Sequence, residues 1–233
     1  MFGGVKGIVK AMARRGAVRK VRTPEAILQA VPGPEFRQER SRRSYEALVE
    51  AGTELFAKHG YDAVGTPEIA TAAGVSVGTF YRYFDDKHEV YLEIMRRTMR
   101  IMYADTVERL TPDQFVGRGR HETIAAAVAL LFEHVLTRPA LTRTFMEMSL
   151  RDMEVAELRR AFEQLAVERL ATLITAVTPR ASVPDPEAFA YVVYGAAMQC
   201  AYGLAVHLAP THIDRDRAQK ALTAFIERAM FGT

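Results

Sequence analysis

Apolar side chains recur at intervals of three and four residues along most of this chain, and this spacing predicts helices. The clearest case is the segment 37–59, where one apolar stripe comprises Tyr45, Leu48, Val49, Gly52, Leu55 and Phe56. Gly60 is predicted to end this first helix. Later helices are predicted over 86–110, 122–137, 140–150, 155–177, 185–209 and 214–231. Since no alternating strand pattern of any length competes, the predicted fold class is all-α.

Two shorter helices are predicted to follow the first. Thr66 is a suitable N-cap for one of them, with Pro67 as its first helical residue, because proline lacks an N–H that would go unpaired there. Gly74 comes after its last turn, where only glycine adopts a left-handed backbone at low cost. Ser76 is then a suitable N-cap for the second short helix, 77–84. Two short helices joined by a tight glycine turn indicate a helix-turn-helix.

The second short helix carries the side chains that DNA recognition requires. Phe80 and Phe84 are four residues apart and are predicted to be its buried anchors. Gly78 lets the backbone approach a phosphate closely, and Val77 offers an apolar contact such as a thymine methyl group. Hydroxyl, aromatic and basic groups on the same helix can bind phosphates or base edges: Thr79, Tyr81, Arg82 and Tyr83,.

The segment 69–87, I-A-x-A-A-G-V-S-x-G-T-F-Y-x-Y-F-x-x-K, resembles the DNA-binding signature of the tetracycline-repressor (TetR) family of bacterial transcription regulators. The resemblance extends upstream to Ala47 and downstream beyond Lys87. It departs at Thr66-Pro67, where relatives more often carry a hydroxyl residue one step earlier and no proline. The first-helix phosphate contact is therefore open between Thr66 and the backbone. The predicted DNA-binding residues are Arg43, Thr66, Ser76, Val77, Gly78, Thr79, Tyr81, Arg82, Tyr83 and Lys87.

The resemblance implies a three-helix helix-turn-helix DNA-binding domain at 37–84. A larger helical-bundle domain at 85–233 is then expected to bind a ligand and to dimerise. The implied function is a repressor that binds a pseudo-palindromic double-stranded DNA operator as a homodimer and is released by a hydrophobic small-molecule effector. Such a regulator would be cytoplasmic, in a bacterium, and associated with the nucleoid when bound to DNA.

The positive charge is concentrated before the first helix. Residues 1–36 carry seven basic and two acidic side chains, a net +5, whereas the whole chain carries +3. Phosphate attraction dominates sequence-independent DNA affinity, so this arm is predicted to contact DNA. A functionally silent tail and a surface amphipathic helix are the alternatives for the arm, which is predicted to be disordered.

Methionine and phenylalanine side chains are frequent in the C-terminal helices, and they suit an adaptable apolar pocket. Each of them could equally belong to an ordinary core. The predicted ligand-binding residues are Met102, Phe115, Phe132, Phe145, Met146, Phe162, Tyr194 and Met198.

The last two helices each carry a long apolar stripe, which predicts a dimer interface; packing within one chain is the alternative. The predicted interface residues are Phe189, Val193, Ala196, Ala197, Cys200, Leu204, Leu222, Phe225 and Ile226. Cys200 is the single cysteine, so no disulfide can form within the chain, and it is interpreted as a small buried apolar residue,.

Other classes of protein are less favoured by the sequence. No apolar run approaches the ~18 residues of a membrane span, so no membrane partner is expected. The six histidines are scattered without metal-ligand spacing, and no nucleophile, phosphate or dinucleotide motif occurs,. Neither a metal nor a cofactor is therefore predicted, and the chain is not expected to be an enzyme. Two alternatives stay open: a small-molecule-binding protein with a non-functional DNA head, and a helical-bundle enzyme.

Overall fold

The computed structural model describes residues 39–116, 119–179, 182–207, 210 and 212–232, together with 23, 24 and 26. Within these residues nine α-helices and no β-strand are present, which confirms the predicted all-α class. The helices are α1 (Glu39–His59), α2 (Thr66–Ala72), α3 (Val77–Tyr83), α4 (Lys87–Tyr103), α5 (Gly119–Leu136), α6 (Pro139–Arg151), α7 (Met153–Val177), α8 (Pro186–Ala205) and α9 (Arg215–Phe231). The basic arm predicted for residues 1–36 lies outside the described residues, apart from the three isolated positions.

We call α1–α3 the head and α5–α9 the bundle; α4 packs against helices of both. The head closes around fully buried side chains of each of its helices, among them Phe56, Ile69 and Phe80. Gly52 lets α1 approach α4, because a Cβ at this position would lie only 2.7 Å from Val90 Cγ1. As predicted, α1 ends at Gly60, whose φ of +77° is a left-handed conformation,.

Several predicted helix boundaries are wrong. α4 ends at Tyr103 instead of 110, because the chain continues through a π-helical turn, Ala104–Glu108, before Thr111 and Pro112 end the helical run. α8 ends at Ala205 instead of 209, and His207 follows with a positive φ of 58°. α7 begins at Met153, since the Asp152 carboxylate accepts hydrogen bonds from the backbone N–H groups of the first helical turn,.

The bundle is centred on α7 and α8, and α5 packs against both α8 and α9. Its core contains the fully buried Phe132, Leu158 and Ile174. By length and composition alone α8 is apolar enough to cross a membrane, which the sequence prediction did not anticipate. However, α8 packs against α5, α6, α7 and α9, and a core helix has the same composition.

Candidate nucleic-acid interface and effector cavity

The candidate recognition helix, α3, is held by its cap and by two buried rings. Ser76 Oγ accepts a hydrogen bond of 3.1 Å from the Thr79 amide, which confirms the predicted N-cap. Phe80 is fully buried and Phe84 is 5% exposed, so both are anchors, as predicted. In contrast, Tyr81 keeps 55% of its surface exposed and lies on the outer side of the helix.

The turn before α3 has the hydrogen bonds of a Schellman motif. The Val75 amide donates to the Ala70 carbonyl and the Gly74 amide donates to the Thr71 carbonyl, both at 3.0 Å. Gly74 has a φ of +66°, the left-handed backbone that the sequence predicted. This turn sets the angle at which α3 leaves α2 and so determines which side chains of α3 face outwards.

The start of α2 differs from the prediction. Gly65 is the N-cap, Thr66 is already the first helical residue, and Pro67 takes the second position. Since no side chain caps α2, the Thr66 hydroxyl is not committed to the helix end as expected. Both the Thr66 side chain and the backbone therefore remain available for a phosphate contact.

Lys87, which the signature predicts to bind DNA, is placed otherwise. Its Nζ donates to the carbonyl oxygens of Tyr61, Asp62 and Val64, at 2.9, 3.3 and 2.7 Å. The same ammonium lies 4.6 Å from the centre of the Tyr61 ring,. Because three acceptors already surround its three N–H groups, Lys87 fastens the α1–α2 loop to α4 and has no donor left for a phosphate.

The other predicted DNA-binding residues have different surroundings. Val77, Gly78, Arg82, Arg43 and Ser76 are exposed, whereas Thr66, Thr79 and Tyr83 are half-buried. The Thr79 hydroxyl lies 2.9 Å from Ser76 Oγ, and the Arg43 Nε lies 3.2 Å from Glu39 Oε1. The Tyr83 ring packs edge-on against Tyr45 with 6.0 Å between ring centres. That these residues contact DNA remains a prediction.

An ion-pair network that the sequence analysis missed joins α1 to α4. Glu93 is only 6% exposed, and its carboxylate accepts from Arg97 Nε at 2.7 Å. Arg97 also binds Glu46 of α1 and lies over the Tyr45 ring, 5.3 Å from its centre. Desolvation opposes the charge of Arg97, but its two carboxylate partners raise the pKa of the guanidinium above its usual value. A Glu-x-x-x-Arg spacing on an otherwise apolar face of α4 is the signal that could have revealed this network.

A second contact joins the head directly to the end of α6. The Arg151 guanidinium binds the Asp62 carboxylate through two hydrogen bonds, of 2.8 and 2.9 Å. This pairing lowers the pKa of Asp62 below its usual value. Beside it, His88 Nε2 of α4 lies 3.1 Å from Asp152 Oδ2. The α1–α2 loop is therefore tied to the α6–α7 corner, far along the chain from it.

A cavity of about 300 Å³ opens in the bundle, between helices α4, α5, α6, α7 and α8. Of the predicted ligand-binding residues, Met102, Phe145, Phe162 and Tyr194 lie on its wall. Phe115, Phe132 and Met198 are buried elsewhere in the core, and Met146 is half-buried away from the wall. The rest of the wall consists of Met95, Thr98, Met99, Ile101, His134, Val135, Thr137, Arg138, Leu141, Thr142, Arg159 and Tyr202.

The polar groups of the wall differ in their partners. His134 Nε2 lies 3.2 Å from Asp105 Oδ2, and Arg138 Nη2 lies 3.2 Å from Glu54 Oε1. Arg159, in contrast, donates to the uncharged Ser149 hydroxyl at 3.3 Å. Arg159 precedes the buried Phe162 by three residues, and this basic residue in register with an apolar stripe could have been recognised from the sequence,.

The outer faces of α8 and α9 expose large apolar side chains. Tyr191 and Val192 are 58% and 54% exposed, and Phe225 of α9 is 47% exposed. Cys200 lies on the same helix as Tyr191 and is exposed, so its interpretation as a buried residue is wrong within a single chain. Among the other predicted interface residues, Val193, Ala197, Leu222 and Ile226 are buried in their own bundle, whereas Phe189, Ala196 and Leu204 are partly buried.

Among the residues that the structure describes, no three His, Cys, Asp or Glu side chains are grouped so that they could hold a metal ion. The fold and the exposed α3 together define a class of protein, the helix-turn-helix DNA-binding proteins with a separate helical domain. Comparison with known proteins shows which proteins this chain is similar to.

Residues 48–94 match the family model described as bacterial regulatory proteins of the tetR family. Over 127 residues the chain is 27% identical to the HTH-type transcriptional regulator YwcC of Bacillus subtilis, which is 52% of this chain and 56% of that protein. It is 41% identical over 90 residues to the HTH-type transcriptional activator FasR of Mycolicibacterium smegmatis, 38% of each protein. The chain thus spans about half, or less, of the length of these curated relatives.

The fold extends the likeness beyond the head. A TetR-family transcriptional regulator from Syntrophomonas wolfei superposes with a TM-score of 0.63 at 17% identity, covering 83% of this chain and 96% of that one. Residues 48–94 therefore form a tetR-family DNA-binding domain, and the described chain as a whole has the fold of solved TetR-family regulators. Curated proteins similar to this chain are named transcriptional regulators.

Proposed function

We propose that this chain is a homodimeric transcriptional repressor that leaves its operator when a hydrophobic small molecule occupies the cavity. The observation that carries this proposal is the position of α4. This helix starts at Lys87, directly after the recognition helix, and its later turns form the cavity wall through Met95, Met99 and Met102. One rigid element is therefore shared by the DNA-binding and cavity regions.

A ligand changes DNA affinity only to the extent that it binds two arrangements of the protein unequally. In this protein α4 is fixed to α1 by the Gly52–Val90 contact and by the Arg97 pairs, so a displacement of α4 moves the head with it. The Asp62–Arg151 pair connects the same head to α6, which contributes Leu141, Thr142 and Phe145 to the wall. Two connections thus support coupling between the cavity and α3.

A dimer is needed because the recognition helix of one head reads only one half-site, and paired half-sites lie about one DNA turn apart. The exposed apolar residues Tyr191, Val192 and Phe225 support an interface built from α8 and α9. At Gly195 an added Cβ would meet no atom within 4 Å, so the backbone of α8 is open to close approach by a partner helix. Such an interface would cover Cys200 as well.

The test of this function uses the intact protein and the DNA upstream of its own gene. We expect a shifted band in gel electrophoresis that an excess of unrelated duplex does not remove, and weaker binding when a stabilising ligand is added. Transcription from this promoter should rise when the gene is deleted. Absence of binding to any duplex would leave the protein as a small-molecule-binding bundle, and a fall in transcription would make it an activator, as FasR is named.

The dimer has a separate test. Phe225→Glu should give monomers in light scattering at micromolar concentration and weaker operator binding, because an unpaired carboxylate would be buried between the subunits. Arg215→Glu, an exposed charge at the start of the same helix, serves as the control and should remain dimeric. A wild-type protein that is monomeric at this concentration would exclude the proposed interface. We place the dimer in the bacterial cytoplasm, on the nucleoid when DNA is bound.

A further inference from the structure

One cationic side chain in the cavity has no carboxylate partner. The other two basic groups of the wall, His134 and Arg138, each lie within 3.2 Å of a carboxylate oxygen. Arg159 has the Ser149 hydroxyl instead, and no carboxylate oxygen of the described residues lies within 4 Å of its guanidinium. A wholly apolar ligand would remove water from this charge without replacing its interactions, which is costly.

Two tyrosines of α8, Tyr194 and Tyr202, also line the cavity. The charge of Arg159 acts on both of them. Burial raises the pKa of Tyr202 to about 12 and that of Tyr194 further, so both remain protonated donors at neutral pH. Neither hydroxyl has a hydrogen-bond partner within the described part of the chain. Glu163, one turn beyond Arg159, acts on both tyrosines with the opposite sign but is not on the wall.

Much of the remaining wall is apolar. Met95, Met99 and Met102 lie at helical spacing on α4, and Phe145 and Phe162 add apolar surface from α6 and α7. Methionine side chains adapt to flexible hydrocarbon chains because they are unbranched and polarisable. The cavity therefore offers a charged end and a hydrocarbon-lined body to one ligand.

We propose that the cavity binds an amphipathic monocarboxylate, with its carboxylate on Arg159 and its hydrocarbon chain against the methionines of α4. This inference rests on the proposed function in one respect, that the cavity is the effector site. It refines the hydrophobic effector expected from the sequence by adding a single negative charge at one end. The volume of about 300 Å³ is at the lower end of small-molecule sites, which favours a ligand of medium length,.

The first experiment compares three ligands of equal chain length on the wild-type dimer without DNA, by calorimetry. The ligands are decanoate, decan-1-ol and decyltrimethylammonium. We expect decanoate to bind at least about tenfold more tightly than the alcohol, because hydrogen bonds to a charged group are the stronger ones. The ammonium compound should bind most weakly, since Arg159 repels it. Equal or tighter binding of the alcohol or the ammonium compound would overturn the proposal.

The second experiment changes the arginine. Arg159→Gln should lower decanoate affinity at least about tenfold and change decan-1-ol affinity less than about twofold. Arg159→Lys, which retains the charge, should restore part of the lost affinity. The matched control is Arg160→Gln, since this neighbouring arginine is exposed and does not line the cavity, and its decanoate affinity should stay near wild type. An equal loss for both ligands, or a loss only in the Arg160 variant, would contradict the assignment.

The outcomes of these experiments can be distinguished from those that test the proposed function. If decanoate binds through Arg159 and DNA affinity does not change, the carboxylate site stands and the proposed induction fails. If decanoate and decan-1-ol release DNA equally well and Arg159→Gln alters neither, induction stands and the carboxylate site fails. Should the Arg159 variants not fold, the comparison of the three ligands on the wild-type protein decides alone.

Discussion

The recognition surface and the effector cavity of this protein are assembled in different ways. The recognition surface comes from one short continuous segment, α2 to α3, in which buried anchors such as Phe80 alternate with exposed groups such as Tyr81. The cavity wall takes residues from five helices, from Met95 to Tyr202 along the chain. The relative positions of side chains on a surface built from consecutive residues are set by that segment alone, whereas the shape of the cavity changes with any shift between its five helices. The DNA-binding surface is therefore expected to keep its shape while the cavity adjusts to a ligand.

The largest effect on stability is expected from removing the Phe80 ring, which fills the core of the head. Phe80→Ala should destabilise the head by about 3–5 kcal/mol, because a fully buried ring leaves a cavity behind,. DNA binding should be lost, while the bundle still binds its ligand, as measured by calorimetry. Phe132→Ala, at a fully buried position in the bundle, is the counterpart and should abolish ligand binding. If Phe80→Ala abolishes ligand binding just as fully, the head and the bundle do not behave as separable regions.

Lys87 tests which signature residues face DNA. Lys87→Met should destabilise the protein by about 1–3 kcal/mol in urea unfolding, since three carbonyl oxygens lose their donor. The salt dependence of DNA affinity should not change, because the Lys87 ammonium already donates to three carbonyl oxygens,. Arg82→Met, an exposed residue of α3, is the matched control: stability should be unchanged and the salt slope should fall by about one. A reduced salt slope with unaltered stability for Lys87→Met would restore it to the DNA interface.

Tyr81 tests the recognition surface itself. Tyr81→Ala should weaken operator binding at least about tenfold, or about 1.4 kcal/mol, because a contact to DNA is lost. The melting temperature should stay near wild type, since more than half of the side chain is exposed. Tyr81→Phe separates the hydroxyl from the ring and should have the smaller effect. Wild-type affinity in a folded Tyr81→Ala protein would show that α3 is not the recognition helix.

The smallest effect on stability is expected at the Asp62–Arg151 pair, which lies at the surface. Arg151→Ala should leave the melting temperature almost unchanged but reduce the factor by which ligand lowers DNA affinity. Arg109→Ala removes an exposed arginine from its pair with the partly buried Asp105 and should keep the full ligand response. An identical ligand response in both variants would remove this contact from the coupling.

The same pair has a defined pH dependence. Arg151 lowers the pKa of Asp62 in the folded state, so the pair stabilises the protein above the ordinary carboxyl pKa,. This contribution is lost as the pH falls through the lowered pKa of Asp62. The small stability difference between wild type and Asp62→Asn should accordingly be present at neutral pH and disappear in acid unfolding experiments. A difference that persists in strong acid would have another origin.

The local elements could be predicted because their causes are local. Gly74 required a left-handed backbone, Ser76 could cap α3, and Phe80 and Phe84 were spaced to be buried; all three features are present. The helices themselves could be predicted from apolar side chains that recur every three or four residues. Boundaries were less reliable: the π-helical turn after α4 was not predicted, and the Asp152 cap of α7, although local in sequence, was overlooked.

The sequence by itself determined the all-helical class, the helix-turn-helix and its buried anchors, because each depends on residues within a few turns of one another. Tertiary structure alone decided that the Lys87 ammonium is bonded to the α1–α2 loop, that Arg97 of α4 binds Glu46 of α1, and that Arg159 lines the same cavity as Tyr202 of α8. A side chain's partners across helices depend on crossing angles and relative rotation, and these result from packing of the whole chain. The charge that a ligand meets in the cavity is therefore a property of the assembled bundle.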